Sequence, residues 1–332
     1  MPLLNEAQFM GNLTVAVLVA QGYAASLGKK GTSTDITLYN LKKGEDTVTF
    51  IEPTRYPERL APLFYATSLS KKAIVVVDEL NATFGECLVM LNCTGINSGF
   101  FILRNYVPKE KVQPLIKGTA LENFEFVDDN PALMTEKLLK EAASANPTTS
   151  EECAKTVGIV PVDHSFNVKG IGAVILGVVA NGAIAKHDTL NVLPGTKKAQ
   201  VRSVQKHDDE FDRACEGDRV GLALKNVEVD DLERGTVLTN DTTVMSAKSL
   251  KSQATLVKYW QTPLKGEMVV HVGHWMQFIT ARIESITDAG DWRKPVLTLN
   301  LEKELVYRAG DSAVLMYLEG GKLRVAGTIT LP

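Results

Sequence analysis

The hydrophobic pattern of this chain changes once, and that change divides it. Up to the segment around Ala143, apolar runs alternate with segments of helical spacing. Leu13 to Ala20 (LTVAVLVA), Ala73 to Val77 (AIVVV) and Gly99 to Leu103 (GFFIL) are near-continuous apolar runs, as in strands buried on both faces. Glu58 to Ser70, Asn81 to Cys93, Lys109 to Ile116 and Pro131 to Ala143 read as helices, the last with a proline at its start. Thr34 to Leu38 and Thr47 to Ile51 read as a strand pair joined by the polar turn Lys42-Lys43-Gly44-Glu45, and Phe124 to Val127 as a short strand. Strands separated by helices imply a parallel α/β sheet. After the small, polar stretch Ala142 to Thr149 (AASANPTT), which reads as a linker, helical spacing almost disappears. Short alternating strands broken by Gly and Asp turns continue to the end, with a second break near Asn240-Asp241, as in barrels or sandwiches. The expected organisation is an α/β domain over 1–145 and two β-barrels over 155–241 and 245–332.

Composition narrows the class. Apolar residues make up 45% of the chain and charged residues 23%, which excludes a disordered or fibrous protein. No apolar run reaches the roughly 18 residues of a membrane-spanning helix, and the start MPLLNEAQF lacks the basic region of a secretory signal. Cys87, Cys93, Cys153 and Cys215 form no CxxC pair and no metal-ligand spacing, so they read as reduced thiols of a cytoplasmic protein without a metal site. A net charge of -3 excludes a protein coated in basic charge, and DNA is not an expected partner, but a basic groove remains compatible with it.

The middle domain carries the most specific signal. Val162-Asp163-His164-Ser165-Phe166-Asn167-Val168-Lys169-Gly170-Ile171-Gly172 is followed by Gly177, Gly182 and Asp188. Gly217-Asp218-Arg219-Val220-Gly221-Leu222-Ala223-Leu224 and Glu233-Arg234-Gly235 come later. Gly170 and Gly172 flank a hairpin where the chain must turn tightly or approach another backbone. This order and spacing resembles the second domain of the elongation factor Tu superfamily of translation GTPases. It is most similar to SelB, the selenocysteine-specific factor, and also resembles the gamma subunit of archaeal initiation factor two. Gly266 to Arg282 and Gly320-Gly321-Lys322-Leu323-Arg324-Val325-Ala326-Gly327 are similar to the third domain of these factors. The resemblance implies an α/β plus all-β chain: a P-loop-like G domain, with a parallel sheet and helices, followed by two β-barrels that hold aminoacyl-tRNA.

In that family the first strand leads to Gly-x-x-x-x-Gly-Lys-Ser/Thr, whose amides cradle phosphates and whose hydroxyl ligates magnesium. The resemblance places this motif on Gly22 to Thr32. Gly28 and Lys29 match, the first glycine is displaced by one position, and Lys30 replaces the hydroxyl residue. Thr32 or Ser33 can then ligate a metal only on a rearranged loop. The second motif, Asp-x-x-Gly, falls on Glu52-Pro53-Thr54-Arg55, where Glu52 keeps a carboxylate for a water-mediated magnesium contact and Arg55 replaces the switch glycine. Tyr56 stands where the family has its water-positioning histidine, and a phenol cannot act as the same base. The guanine motif falls on Arg104-Asn105-Tyr106-Val107, without its specificity Asp. Asn92 is a rival placement that leaves no crossover helix between two parallel strands. The implied nucleotide set is therefore Gly28, Lys29, Lys30, Gly31, Thr32, Glu52 and Asn105. Its ligand is GTP, with or without magnesium, and no catalytic residue remains for hydrolysis.

The resemblance also implies an aminoacyl site: Asp163, His164 and Phe166, then Gln205 and His207, then Asp218 and Arg219. An Asp can receive the α-ammonium group of an esterified amino acid. A His and an Arg near its side chain favour an anionic or soft group, so selenocysteine or cysteine is expected over a bulky cationic residue. Lys322 and Arg324 are the expected contacts to the tRNA body, through salt-sensitive phosphate pairing. The implied partners are aminoacyl-tRNA and the ribosome, with the chain itself a monomer. The sequence stops at Pro332, after the third domain, so the mRNA-hairpin module of SelB is not expected. Two other roles stay open at this point: a regulatory or assembly subunit acting through protein partners, and a GTPase with a rewired site.

Overall fold

The structure, a computed structural model, describes residues 11–44, 46–144, 157–207, 209–287 and 290–332. The first nine residues, the 145–149 part of the linker and Cys153, each given a reading above, lie outside them.

The first unit is a seven-stranded sheet with β1 (Asn12–Leu18), β2 (Lys29–Ser33), β3 (Thr37–Lys43), β4 (Asp46–Glu52), β5 (Lys72–Val77), β6 (Gly99–Leu103) and β7 (Glu125–Val127). Their order is β2-β3-β4-β1-β5-β6-β7. The five strands from β4 to β7 run parallel, while β2 and β3 form an antiparallel edge. The apolar runs are continuous because both faces are covered. Ala16, Leu18, Val75, Val77 and Phe101 enter one core with α1 (Ala61–Ser68), α2 (Ala82–Cys93) and α3 (Lys109–Ile116). Val15, Val17, Ile74, Val76 and Phe100 enter another, against α4 (Pro131–Ser144). The Asn81 side chain caps α2 by accepting from the Phe84 amide at 2.9 Å.

The second unit contains β8 (Ile159–Val168), β9 (Gly172–Val178), β10 (Ala183–Ala185), β11 (Thr189–Leu193), β12 (Lys198–Lys206), β13 (Asp209–Phe211), β14 (Arg213–Cys215), β15 (Arg219–Lys225) and β16 (Val237–Thr239). The order β11-β16-β8-β9-β15-β12 closes on itself through the pairing of β11 with β12, so this is a six-stranded barrel. Gly170 (φ 82°) and Gly172 (φ 100°) take the left-handed backbone of the tight turn between β8 and β9, which favours glycine. The third unit closes likewise, from β17 (Val244–Leu256), β20 (Val296–Arg308), β19 (Gln277–Thr287), β18 (Val269–His274), β21 (Ser312–Met316) and β22 (Val325–Thr330). Among the described residues, no helix is long and apolar enough to cross a membrane.

The units share cores. Ile36, Leu38 and Ile51 of the sheet meet Val178 of the first barrel and Met276 of the second in one cluster. Phe64 of α1 packs so close to Gly273 of β18 that a Cβ there would lie 2.7 Å from its ring. Beside it, Glu86 of α2 accepts from the Arg324 amide at 2.8 Å and from its guanidinium at 2.6 and 3.1 Å. Arg324 is thus a clamp between helix and barrel, not the tRNA contact that the hairpin sequence suggested. Lys322, two residues earlier, is exposed.

Cys87 and Cys93 carry buried free thiols, and burial pushes both up to about 12. Cys215 is engaged in a disulfide, which corrects the reading of four reduced thiols.

Truncating Glu86 to Ala leaves the half-buried Arg324 charge without its partner, and breaking such a pair costs about 3 kcal/mol. Thermal unfolding is expected to show a clear drop in Tm for Glu86→Ala and for Arg324→Ala. The double variant should fall well short of the sum. Additive losses would show that the pair is not coupled.

Candidate nucleic-acid groove

The stretch Gly28 to Thr32 does not form a phosphate loop. After β1 the chain makes one 3-10 turn, Tyr23–Ser26, and then enters β2, where Lys29 pairs with Asn40 and Lys30 with Tyr39. No α-helix stands between the two strands, where the nucleotide-binding motif would have one. Gly28 therefore leads into an edge strand that Lys29 begins, and the β2–β3 pair borders the first barrel.

Between that edge and the barrel lies a groove of 730 Å³. One wall is Gly28, Lys29, Lys30, Gly31 and Thr32 with Lys42 of β3. The other is Gln205 of β12 and His207 just beyond it, with Gly221 and Arg219 of β15 and Leu176 of β9. Gln205, Gly221 and Leu176 stand side by side across the three strands, so the missing side chain of Gly221 leaves a dip between its neighbours. Lys29, Lys30 and Gln205 are exposed, and Lys42 pairs with Asp209 at 2.5 Å. His207 follows β12 in the left-handed region (φ 47°). Lysines on a free edge also guard it against pairing with another strand; here they face a concave wall. The groove unites two residue sets that the sequence reading assigned to different ligands, nucleotide and aminoacyl end.

Other expected members are committed elsewhere. Asp163 is fully buried. Its carboxylate accepts from both terminal nitrogens of Arg219, one at 3.0 Å, and lies 2.5 Å from His164 Nδ1. Burial pushes its pKa up, but the Arg219 guanidinium and the His164 contact outweigh that, and the carboxyl is held below the usual range. It has no free oxygen to receive an α-ammonium group. Asp218, next along the chain from Arg219, points the other way, 2.5 Å from Lys206 Nζ, and accepts from Asn12 and, at 2.9 Å, from the Cys215 amide. It too is structural. Phe166 is 41% exposed on β8 and does not line the groove.

The sequence reading missed the residues that hold the walls at this spacing. Arg234 donates to the carboxylate of Asp35 at 2.8 and 2.9 Å, to the Asp163 carbonyl at 3.0 Å and to Thr34 Oγ1 at 3.2 Å. His164 Nε2 lies 3.2 Å from the same hydroxyl. Glu233-Arg234-Gly235 stood out as a motif, but its partner, the turn between β2 and β3, became visible only in the fold.

A second cavity, 320 Å³, lies at the carboxyl ends of β4, β1 and β5, where a parallel sheet presents ligands. Glu52, at the end of β4, accepts from the backbone amides of Gly22 and Ala24, the latter at 3.3 Å. Asp78 and Glu79 line the same cavity. Glu52 is therefore not an open magnesium contact. Asn105 sits beyond β6 in a left-handed turn (φ 48°) and donates to the Asp78 carbonyl at 3.3 Å. The Tyr56 phenol is buried, donating toward the Thr83 carbonyl at 3.0 Å and Glu86 at 3.1 Å.

Residues 172–239 match the family model of elongation factor Tu domain 2. An uncharacterised protein of Methanocaldococcus jannaschii is 36% identical over 96% of this chain and 99% of its own length. The selenocysteine-specific elongation factor of the same organism is 23% identical over 88% of this chain and 68% of its own. The crystal structure of elongation factor SelB from Methanococcus maripaludis superposes with a TM-score of 0.77 in its apo form. In complex with the GTP analogue GppNHp the score is 0.79. Both are 19% identical, cover 98% of this chain and extend over 80% and 79% of SelB, a likeness of fold.

Asp163 has a depressed pKa in the folded chain, so its stabilisation is complete above the unfolded value of about 3.9 and is lost as pH falls through the folded one. Asp163→Asn is expected to cost about 3 kcal/mol at pH 7, because Arg219 is left buried and unpaired. Urea midpoints taken from pH 7 down to pH 3 should show wild type and variant converging below about pH 4. A gap that stays constant over that range would refute the assignment.

Proposed function

The chain belongs to the elongation factor Tu/SelB-like family of translation GTPases, and from that premise we propose that it holds the aminoacylated 3′ end of a tRNA in the groove between β2 and the first barrel. The observation that carries this reading is the opposition of Lys29 and Lys30 to Gln205 and Gly221 across 730 Å³. A single-stranded RNA end offers phosphates to the lysines and an unstacked base edge to an amide side chain. The dip at Gly221 admits a ribose or base that a larger side chain would exclude. A molecule with net charge -3 that keeps exposed cations at such a wall suits a ligand bound locally, not a polyanion bound anywhere.

The role is holding and shielding the ester in the cytoplasm, without GTP turnover. The phenol at position 56 is buried against α2 and cannot position a water. The expected preference for an ionised selenol or thiol required His164 and Arg219 to be open. Arg219 is paired with Asp163 and His164 is hydrogen-bonded to it, so the groove is read as recognising the nucleotide end, with no single amino acid selected.

A second reading, an assembly subunit acting through protein partners, is favoured by one feature. An apolar pocket of 430 Å³ lies between α2, the end of α3 and the second barrel, lined by Leu88, Val89, Leu115, Leu121, Val257 and Leu323. Leu115 and Tyr259 at its rim are large and exposed. A stable protein partner retained on the purified chain, with no RNA, would favour it.

Saturating protein is expected to lengthen the hydrolysis half-life of an aminoacyl-tRNA ester several-fold, while deacylated tRNA of the same sequence binds more weakly. Lys29→Ala with Lys30→Ala should lower the affinity and reduce the slope of log K against log salt by about 0.7 for each phosphate that is no longer neutralised. Unprotected ester at saturation would sink this reading.

A further inference from the structure

Glu52 also links the sheet crevice to the groove. Glu52 is 5% exposed, and its carboxylate sits against the chain that leaves β1, where the Gly22 and Ala24 amides both donate to it. Gln21 on the same loop donates to the Tyr56 carbonyl at 2.6 Å, so this loop is tied to the end of β4 and to the residues after it. Tyr23, Ala24 and Leu27 are buried against the sheet, and the chain then enters β2 directly. Gly28 lies so close to β3 that a Cβ would stand 3.0 Å from the Asn40 carbonyl oxygen. The loop that Glu52 holds down is thus continuous with the groove wall that carries Lys29 and Lys30.

The cavity in front of Glu52 is lined also by Asp78 and Glu79 and, among the described residues, by no Lys, Arg or His. The nearby Arg104 is taken up by Asp129 at 2.7 Å and faces Asp78 at 3.9 Å. A nucleotide phosphate entering here would meet carboxylates, and the amides it needs are already donating to one. Val19, a β-branched residue at φ 79°, marks the start of the loop with a backbone that such residues rarely adopt, so this path is imposed by its surroundings.

We propose that Glu52 is a positioning residue: a resident anion that closes the sheet crevice to nucleotide phosphates and, through the loop it anchors, holds β2 in place as a wall of the groove with no nucleotide bound. The use of that wall for a tRNA end rests on the reading above; the closure and the anchoring do not.

The test uses the full chain. Calorimetric titration of wild type with GTP and with GDP, each with magnesium, is expected to show no binding tighter than about 1 mM. Hydrogen exchange of the 29–33 amides should be unchanged by either nucleotide. Glu52→Ala should speed that exchange at least about tenfold, the effect of losing even one hydrogen bond to a charged acceptor. Glu52→Gln, which keeps length and one acceptor oxygen, should recover most of the protection. Affinity for aminoacyl-tRNA should follow the same order. Micromolar binding of GTP or GDP, or β2 protection that rises with nucleotide, overturns the proposal, as does unchanged exchange in Glu52→Ala. Should Glu52→Ala not fold, the wild-type titration and Glu52→Gln still decide. Exchange and calorimetry involve no RNA, so a chain that meets both expectations yet binds no tRNA would refute the acceptor-end reading alone.

Discussion

Asp163 lies buried where the α/β unit meets the first barrel, and a buried carboxylate must be neutralised or abandoned. Here Arg219 grips it from β15 and His164 from the adjoining position on β8. The same short stretch supplies the Asp163 carbonyl to Arg234, whose guanidinium reaches across to Asp35 and Thr34 in the turn between β2 and β3. Burial raises the Asp35 pKa, but the hydrogen bonds and charge of Arg234 outweigh that and hold it low, so this pair too is ionised. One carboxylate thereby fixes two strands of the barrel, and its neighbours fix the barrel to the sheet. The groove is the gap that this junction leaves, and Lys42 of its wall adds a further tie to Asp209 of the barrel.

These contacts explain which parts of the molecule were legible in the sequence. Runs such as AIVVV predict strands covered on both faces, and alternate residues of β5 do enter two separate cores. Helix spans were readable because their signals are local: Asn81 caps, Pro131 starts, and apolar spacing fills the rest. Barrel glycines were readable because left-handed turns admit little else. The site was less so. A Gly-Lys pair after a strand looks like a phosphate loop, but whether it becomes one depends on the helix that should follow, and here a 3-10 turn leads straight into β2. Asp218 and Arg219 are adjacent in sequence yet serve different partners, since Asp218 ends the turn before β15 and Arg219 begins the strand. Arg324 finds Glu86 from 238 residues away, a distance at which a lone cation in a hairpin gives no hint of its partner.

The two cavities differ in how their charge and hydrogen-bonding capacity are used. At the sheet crevice, charge and hydrogen-bonding capacity are used internally: Glu52 takes the amides, Asp129 takes Arg104, and Asp78 is left facing the space. At the groove, Lys29 and Lys30 stay exposed and Gln205 keeps an amide free of any strand partner's side chain. Exposed cations at a concave wall contribute little to stability and repel one another. On the proposed reading they serve a polyanionic ligand as well as guarding the edge strand.

On the proposed reading, a chain that grips an RNA end without a nucleotide has no hydrolysis step to end the grip. Release must then come from a competing surface or from the junction itself. The junction has the right character for that. Arg234 and Asp35 are each only partly buried, so their attraction is exposed to salt and to any competing charge in a way that the sealed Asp163–Arg219 pair is not. A partner that draws Arg234 away from Asp35 would loosen the turn between β2 and β3, and with it the wall that holds the ligand. The barrel, whose own pair at Asp163 stays closed, would remain intact.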